Sequence, residues 1–450
     1  MRFAIPNAPR AAPVSPKDRR YGRLAVVLVV LLFVFVALEL NEFLGVEVLK
    51  ERPIKLTLLI GGGFLIVSRF DFARQLLLGS VNRYLLLFIA LGWLSVLWSI
   101  EPGLTLLRML TFTAYTLTLT AFCLYRWSRE RFQQVMRQIL LAIPLLSMVA
   151  WLVDPSFVIE VGDDISLRGS WKGLTGQKNT FGQLAAFSTM LWMHALLTRE
   201  TARRTAWIGL AISFWAVLLS RSSTALLASV PTCGFLWLLL RSPPSLKRYM
   251  PYISVVFALL VVTYSMAVLK LVPGLELLLK PIAMITGKDL TFSGRSLIWD
   301  VIRQHISFAP LLGTGFGAYW AGPTFLLSPS QEVARVMYIY PYQAHNGYLD
   351  VINDLGYVGL LVLIGYMIVF MRQSLQLFRI DRHQGALYLA MFFMVAISNL
   401  SQSIWFTFNV EFIVMTFATL ALGRTMLEHR LRAAQQARQV QPRPAWQRWQ

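Results

Sequence analysis

Cysteine is nearly missing from this 450-residue chain: there are two, Cys123 and Cys233. Both fall in apolar runs rather than in polar connections, so neither a disulfide framework nor a cysteine metal site is expected. Acid is scarce too, with 22 Asp and Glu against 42 Lys and Arg. No stretch gathers enough carboxylates to demand a divalent ion, and no metal or other cofactor is expected. Charge of either sign is thin at 14% of residues, where soluble domains carry about a quarter. That leaves too little polar surface to cover a large soluble fold. No small-residue cleavage site follows the basic N-terminal stretch, and no internal repeat or separate soluble domain is visible.

What the chain has in abundance is long apolar runs. Each is near the length of about 20 residues needed to cross a bilayer core, so the expected fold class is an all-α polytopic membrane protein. About twelve candidate spans lie near 24–40, 54–69, 84–100, 104–123, 136–153, 179–197, 205–220, 223–240, 251–271, 356–371, 385–402 and 406–422. The second is short and carries Gly61-Gly62-Gly63, where a kink is expected. The net charge of +20 would suggest nucleic acid in a soluble chain. Here it follows from the positive-inside rule, and no nucleic-acid partner is expected. Lys and Arg collect in alternate connections: around Arg19–Arg23, Arg69–Arg83, Arg126–Arg137, Arg199–Arg204, Arg241–Arg248, Arg372–Arg382 and Arg424–Arg448. Both termini are then cytoplasmic, in a multi-pass bacterial inner-membrane protein. The organisation is a basic tail over 1–23, a membrane domain over 24–422 and a basic tail over 423–450, disordered from Gln435. The opposite, periplasmic face receives two long connections, 154–178 and 271–355, the latter between spans nine and ten.

Topology does not ask for cations on the outer face, so those found there are informative. Arg168, Lys172 and Lys178 lie among glycines, and Lys178-Asn179-Thr180 opens a span, where backbone N–H groups favour an anion. These cations either bind a phosphate or pair with lipid headgroups and the neighbouring Asp163 and Asp164. Arg221 sits in an outer turn, Ser220 to Thr224, and either snorkels to lipid phosphate or lines a polar pocket. Arg108, within the fourth span, reads as a structural interior charge. In the long connection, Gly287 to Arg295 is a dense polar run before a short amphipathic helix, with Ser293 as cap and Leu297, Ile298, Val301 and Ile302 as its apolar face. Arg295 lies in its first turn and Trp299 one turn on. Pro310 to Gly317 has the glycines of a nucleotide loop without the flanking strand and helix, so it reads as a tight aromatic-flanked turn. His345 begins the next helical pattern, with Leu349 and Ile352 on its face and Asn346, Asp350 and Asn353 on another. Its ordinary pKa of about 6.5 suits a general base near neutral pH; the alternative is a capping or interface histidine.

Four segments, Gly176 to Gly182, Ser293 to Trp299, Pro310 to Gly317 and His345 to Asp350 with Gly356 and Gly359, resemble in order and spacing the signature blocks of the O-antigen ligase and Wzy-type polymerase superfamily. Gln177 departs from a pattern that often has His before Lys-Asn. The resemblance implies a GT-C-like, metal-independent glycosyltransferase. Its members take a glycan from an undecaprenyl pyrophosphate carrier at the outer leaflet. The acceptor is another carrier-linked glycan in polymerases, lipid A core in ligases, and protein in some relatives. On that reading His345 and Arg295 are catalytic. Lys178, Arg221, Arg168 and Lys172 hold the pyrophosphate, and Trp299, Asn346, Tyr319 and Trp320 contact sugar or acceptor. Tyr338 and Tyr340 are further candidate sugar platforms. Membrane lipids, chain-length regulators and export proteins are the other expected partners. An exopolysaccharide or O-antigen polymerase ranks first and a ligase second. A flippase of the same lipid-linked sugars ranks lower, because the charges lie in outer connections rather than at the membrane midplane.

Overall fold

The computed structural model describes residues 15–39, 51–125, 128–161, 168–268, 274, 277, 295–320, 343–407 and 409–440. Its long elements are helical: α1 (Pro16–Ala37), α2 (Glu51–Val67), α3 (Phe70–Leu77), α4 (Ser80–Leu94), α5 (Pro102–Leu124), α6 (Arg129–Val153), α7 (Lys178–Thr198), α8 (Arg203–Leu219), α9 (Ser223–Arg241), α10 (Met250–Val268), α11 (Arg295–Phe308), α12 (Gly347–Ile380), α13 (Arg382–Ser398) and α14 (Val410–Val440). Each expected span overlaps one of them, several running a few residues past its end, and the protein is an all-α polytopic membrane protein. Among the described residues seven helices are long and apolar enough to cross a membrane, or eight if the bent pair α2 and α3 is one span.

Local chemistry sets the helix starts. Ser15, Ser128, Ser222 and Asp381 accept the backbone N–H three residues on, and Pro102 takes the first turn of α5, where its missing N–H costs nothing. Three expectations are corrected. The Gly61–Gly63 run does not kink α2. A Cβ on Gly62 would come within 2.9 Å of the Thr118 nitrogen, so the glycine serves close packing of α2 on α5. The bend, 102°, comes after Val67, before the unforeseen α3. The C-terminal segment expected to be disordered from Gln435 is helical through Val440, and α1 begins at Pro16, inside the expected N-terminal tail.

The centre is aromatic. Phe88 stacks on Phe406 at 4.0 Å, Phe112 stacks on Phe412 at 5.7 Å, and Phe316 meets the Phe88 edge at 5.5 Å. The two ends of the bundle differ in kind. At one end the basic connections meet: Arg69 pairs with Asp18 and donates to the Leu124 carbonyl. Arg137 bonds Glu200 at 2.7 Å, Arg382 donates to Ser242 Oγ at 2.7 Å, and Arg424 lies over the Phe72 ring. The other end gathers the connections that the alternation puts on the opposite face. Trp98 Nε1 donates to the Leu312 carbonyl, Trp171 N to the Leu219 carbonyl, and Ser401 Oγ to Thr224 Oγ1.

Candidate functional site

At that second end two groups of side chains are built by separate devices. The first is cationic. A 3₁₀ turn, Gly173–Thr175, runs into α7, with Lys178 half-buried as its first residue. Ser222 Oγ donates to Asn179 Oδ1 at 2.9 Å, tying the start of α7 to the α8–α9 turn. Arg221, in that turn, is exposed and holds a left-handed φ of 48°. Its Nη1 donates to the Arg168 carbonyl at 3.2 Å. Lys178, Arg221 and Arg168 therefore come from neighbouring segments, while Lys172 is half-buried and its N–H donates to the Val158 carbonyl. An acid missed in the sequence lies beside them: a Cβ on Gly176 would overlap the Glu39 carboxylate, and Glu39 N donates to the Leu174 carbonyl at 2.7 Å. Its only signal was a carboxylate at the end of an apolar run.

The second group surrounds α12. Gly356 carries φ 64° and ψ −167°, a region open essentially to glycine, and breaks the helix there. The freed backbone is taken up by the glycine turn. Tyr357 N donates to the Pro310 carbonyl at 2.8 Å and Val358 N to the Leu311 carbonyl at 3.2 Å. From the other side Thr314 N donates to the Asn353 carbonyl, Gly315 N to the Asp354 carbonyl, and Gly317 N to Asp354 Oδ2. Gly313, at φ 69°, would bring a Cβ within 2.5 Å of the Asp354 carbonyl carbon. The expected tight turn is present, and its role is to clasp the kink. Arg108 donates to the Gly317 and Trp320 carbonyls, in line with the structural reading of that charge.

Histidine 345 lies before α12 rather than in it. The helix starts at Gly347 because buried Asn346 caps it, accepting from Tyr348 N at 3.1 Å and Leu349 N at 3.2 Å. His345 therefore stands at φ 52°, half-buried, out of the expected helical register. The loop after α13 holds it from behind. Gly347 N donates to the Asn399 carbonyl at 3.1 Å, and Gln343 Nε2 to Gln402 Oε1 at 3.2 Å. That loop also reaches the cationic group, through Ser401 and Thr224, so the α13–α14 connection bridges the two. In the sequence it is only a short polar break, and nothing there signals its bridging role.

The expected sugar platforms lie elsewhere. Trp299, Tyr319 and Trp320 are 3%, 0% and 7% exposed and form a small core with Ile298 and Ile302. Trp299 Nε1 donates to the Ala344 carbonyl at 2.9 Å and Trp320 Nε1 to Asp350 Oδ1 at 2.8 Å. With their faces packed and their N–H groups engaged, these rings buttress the His345 loop instead of lying open to a sugar. Asn346 is likewise engaged as a cap. Arg295 opens α11, but its side chain lies outside the described residues, as do Ser293, Tyr338, Tyr340 and the run Gly287–Gly294.

The family model described as O-antigen ligase matches residues 208–364. The matched stretch includes Arg221, Arg295, the glycine turn and His345, and leaves out Lys178, Lys172 and Arg168. Over 222 residues the chain is 23% identical to the exopolysaccharide production protein ExoQ of Rhizobium meliloti (strain 1021), covering 47% of this chain. The match spans 49% of that relative, about half its length. Both findings support the O-antigen ligase and Wzy-type polymerase superfamily indicated by the four sequence blocks.

Proposed function

We propose, with an O-antigen ligase region in a polytopic membrane fold as the premise, that this chain is a glycosyltransferase using a polyprenyl-pyrophosphate-linked glycan. The observation that carries the reading is the meeting, at the bundle end opposite the basic connections, of the Lys178–Arg221–Arg168 group and the His345 loop. By the positive-inside rule that end faces the periplasm in a bacterial inner membrane. The two groups suit the two halves of a glycosyl transfer. A hydroxyl of the acceptor attacks the anomeric carbon, its proton passing to His345. The bond from that carbon to the phosphate oxygen breaks, and its electron pair leaves with the pyrophosphate. Lys178, Arg221 and Arg295, with Arg168 and Lys172 behind them, oppose the charge gathering on that oxygen. Arginine suits this role because its planar fork matches phosphate oxygens. The leaving group is already good, so base catalysis by His345 contributes about 10²-fold, at the low end of its usual range. The cations do the work a metal ion does in other transferases, and the reaction we propose is metal-independent.

Polymerisation of exopolysaccharide or O-antigen repeat units is the first reading, favoured by the name of the relative from Rhizobium meliloti. Ligation to lipid A core is the second, favoured by the description of the family model. Reconstitution with a purified lipid-linked repeat unit separates them. Polymer formed without lipid A core supports the first, and product only on its addition supports the second. No product from either mixture refutes the transferase reading.

A further inference from the structure

Away from this site, α8 and α9 both pack along α7 but touch each other sparsely, leaving a groove between them. It encloses about 370 Å³, with Met193 of α7 at its floor, Trp207, Ala211 and Phe214 on one wall and Val230 and Cys233 on the other. The lining is almost wholly apolar and open to the surroundings, and its two walls lie in the expected spans 205–220 and 223–240, where the surroundings of a spanning helix are lipid.

Helical periodicity extends each wall toward the basic end. On α8, Arg203 lies one turn before Trp207 and Arg204 three residues before it, on the same face. On α9, Cys233, Trp237 and Arg241 follow at four-residue spacing. Trp207 and Trp237 are each more than half exposed, as aromatic side chains are at a membrane interface. Arg203, Arg204 and Arg241 are exposed and make no ion pair among the described residues. Each wall thus runs from apolar depth through an interfacial tryptophan to an unneutralised arginine.

We propose that this groove is a binding site for an anionic diacyl phospholipid of the leaflet at the basic end. One acyl chain lies between α8 and α9, and the phosphate is held by Arg203, Arg204 and Arg241. The site is independent of the transfer chemistry, at the other end of the bundle.

Cys233 reports occupancy directly, because Cys123 is fully buried. The test is the rate of Cys233 alkylation by N-pyrenylmaleimide in delipidated protein, with labelling mapped by mass spectrometry. Mixed micelles carry phosphatidylglycerol, phosphatidylcholine or undecaprenyl phosphate. The expected result is several-fold protection by phosphatidylglycerol, little by phosphatidylcholine, and loss of the difference when all three arginines are changed to alanine. In the unaltered protein the protection should also weaken as salt rises, which tests the idea even if the triple variant does not insert. Equal protection by the two phospholipids, salt-independent protection, or stronger protection by undecaprenyl phosphate would overturn the proposal.

Discussion

The clasp around Gly356 makes a quantitative prediction. In Gly356→Ala the new methyl overlaps the Leu311 carbonyl, and alanine must hold a backbone conformation that costs of order 1–3 kcal/mol. The turn has to lift away, giving up the bonds of Tyr357, Val358, Thr314, Gly315 and Gly317 to their partners across the interface. At roughly 1 kcal/mol net for each bond, the loss is about 5 kcal/mol. Gly313→Ala strikes the same interface from the other side, at the Asp354 carbonyl carbon. The two lesions break one set of bonds, so the double variant should fall short of their sum by the value of that shared set, about 5 kcal/mol. Gly63→Ala is the control: nothing lies within 4 Å of its Cβ, and it should be neutral or slightly stabilising. Unfolding by SDS titration in mixed micelles, followed by far-UV circular dichroism, reads all four proteins. Strict additivity, or Gly356→Ala as stable as Gly63→Ala, would refute the clasp.

Trp299→Ala should cost about 3–5 kcal/mol as a core truncation, visible as a lower thermal midpoint in detergent; unchanged stability with a raised donor KM would restore the sugar-platform role. Asp350→Asn turns an acceptor of the Trp320 and Ala344 N–H groups partly into a donor, and should lower stability by about 1–3 kcal/mol in the same assay. His345→Asn, which tolerates the left-handed backbone, should keep the stability of the parent and slow glycan transfer in the reconstituted reaction by about 10²-fold. Arg221→Lys keeps the charge but not the fork, and transfer should fall at least tenfold under the same conditions.

The helices were largely legible because a membrane helix announces itself by local composition. The separation of the two ends was legible as well, since the alternation of arginines marks it connection by connection. What escaped depends on partners distant in the chain. Trp299 looks like a sugar platform until Ala344 and Asp350 are seen to fold the loop over it. His345 reads as helical because its spacing to Leu349 is helical, yet Asn346 wins the cap and leaves the histidine outside. The break at Gly356 is invisible in an apolar pattern that continues through it, because only the returning turn makes the break affordable. The grouping of the segments that carry Arg168, Lys178 and Arg221 was legible for the opposite reason: a basic residue in a connection that the alternation assigns to the other end contradicts a rule, and a contradiction is readable without knowing the partner.

Asp350 makes the protein tolerant of changes in chain length. Its carboxylate accepts from Trp320 as the chain departs and from Ala344 as the chain comes back, so both ends of the excursion are stitched to one side chain. Closing a longer or shorter loop between fixed ends changes its entropy only slowly with length. A change in the number of residues between Trp320 and Ala344 should therefore cost little stability so long as Asp350 and its two partners are kept.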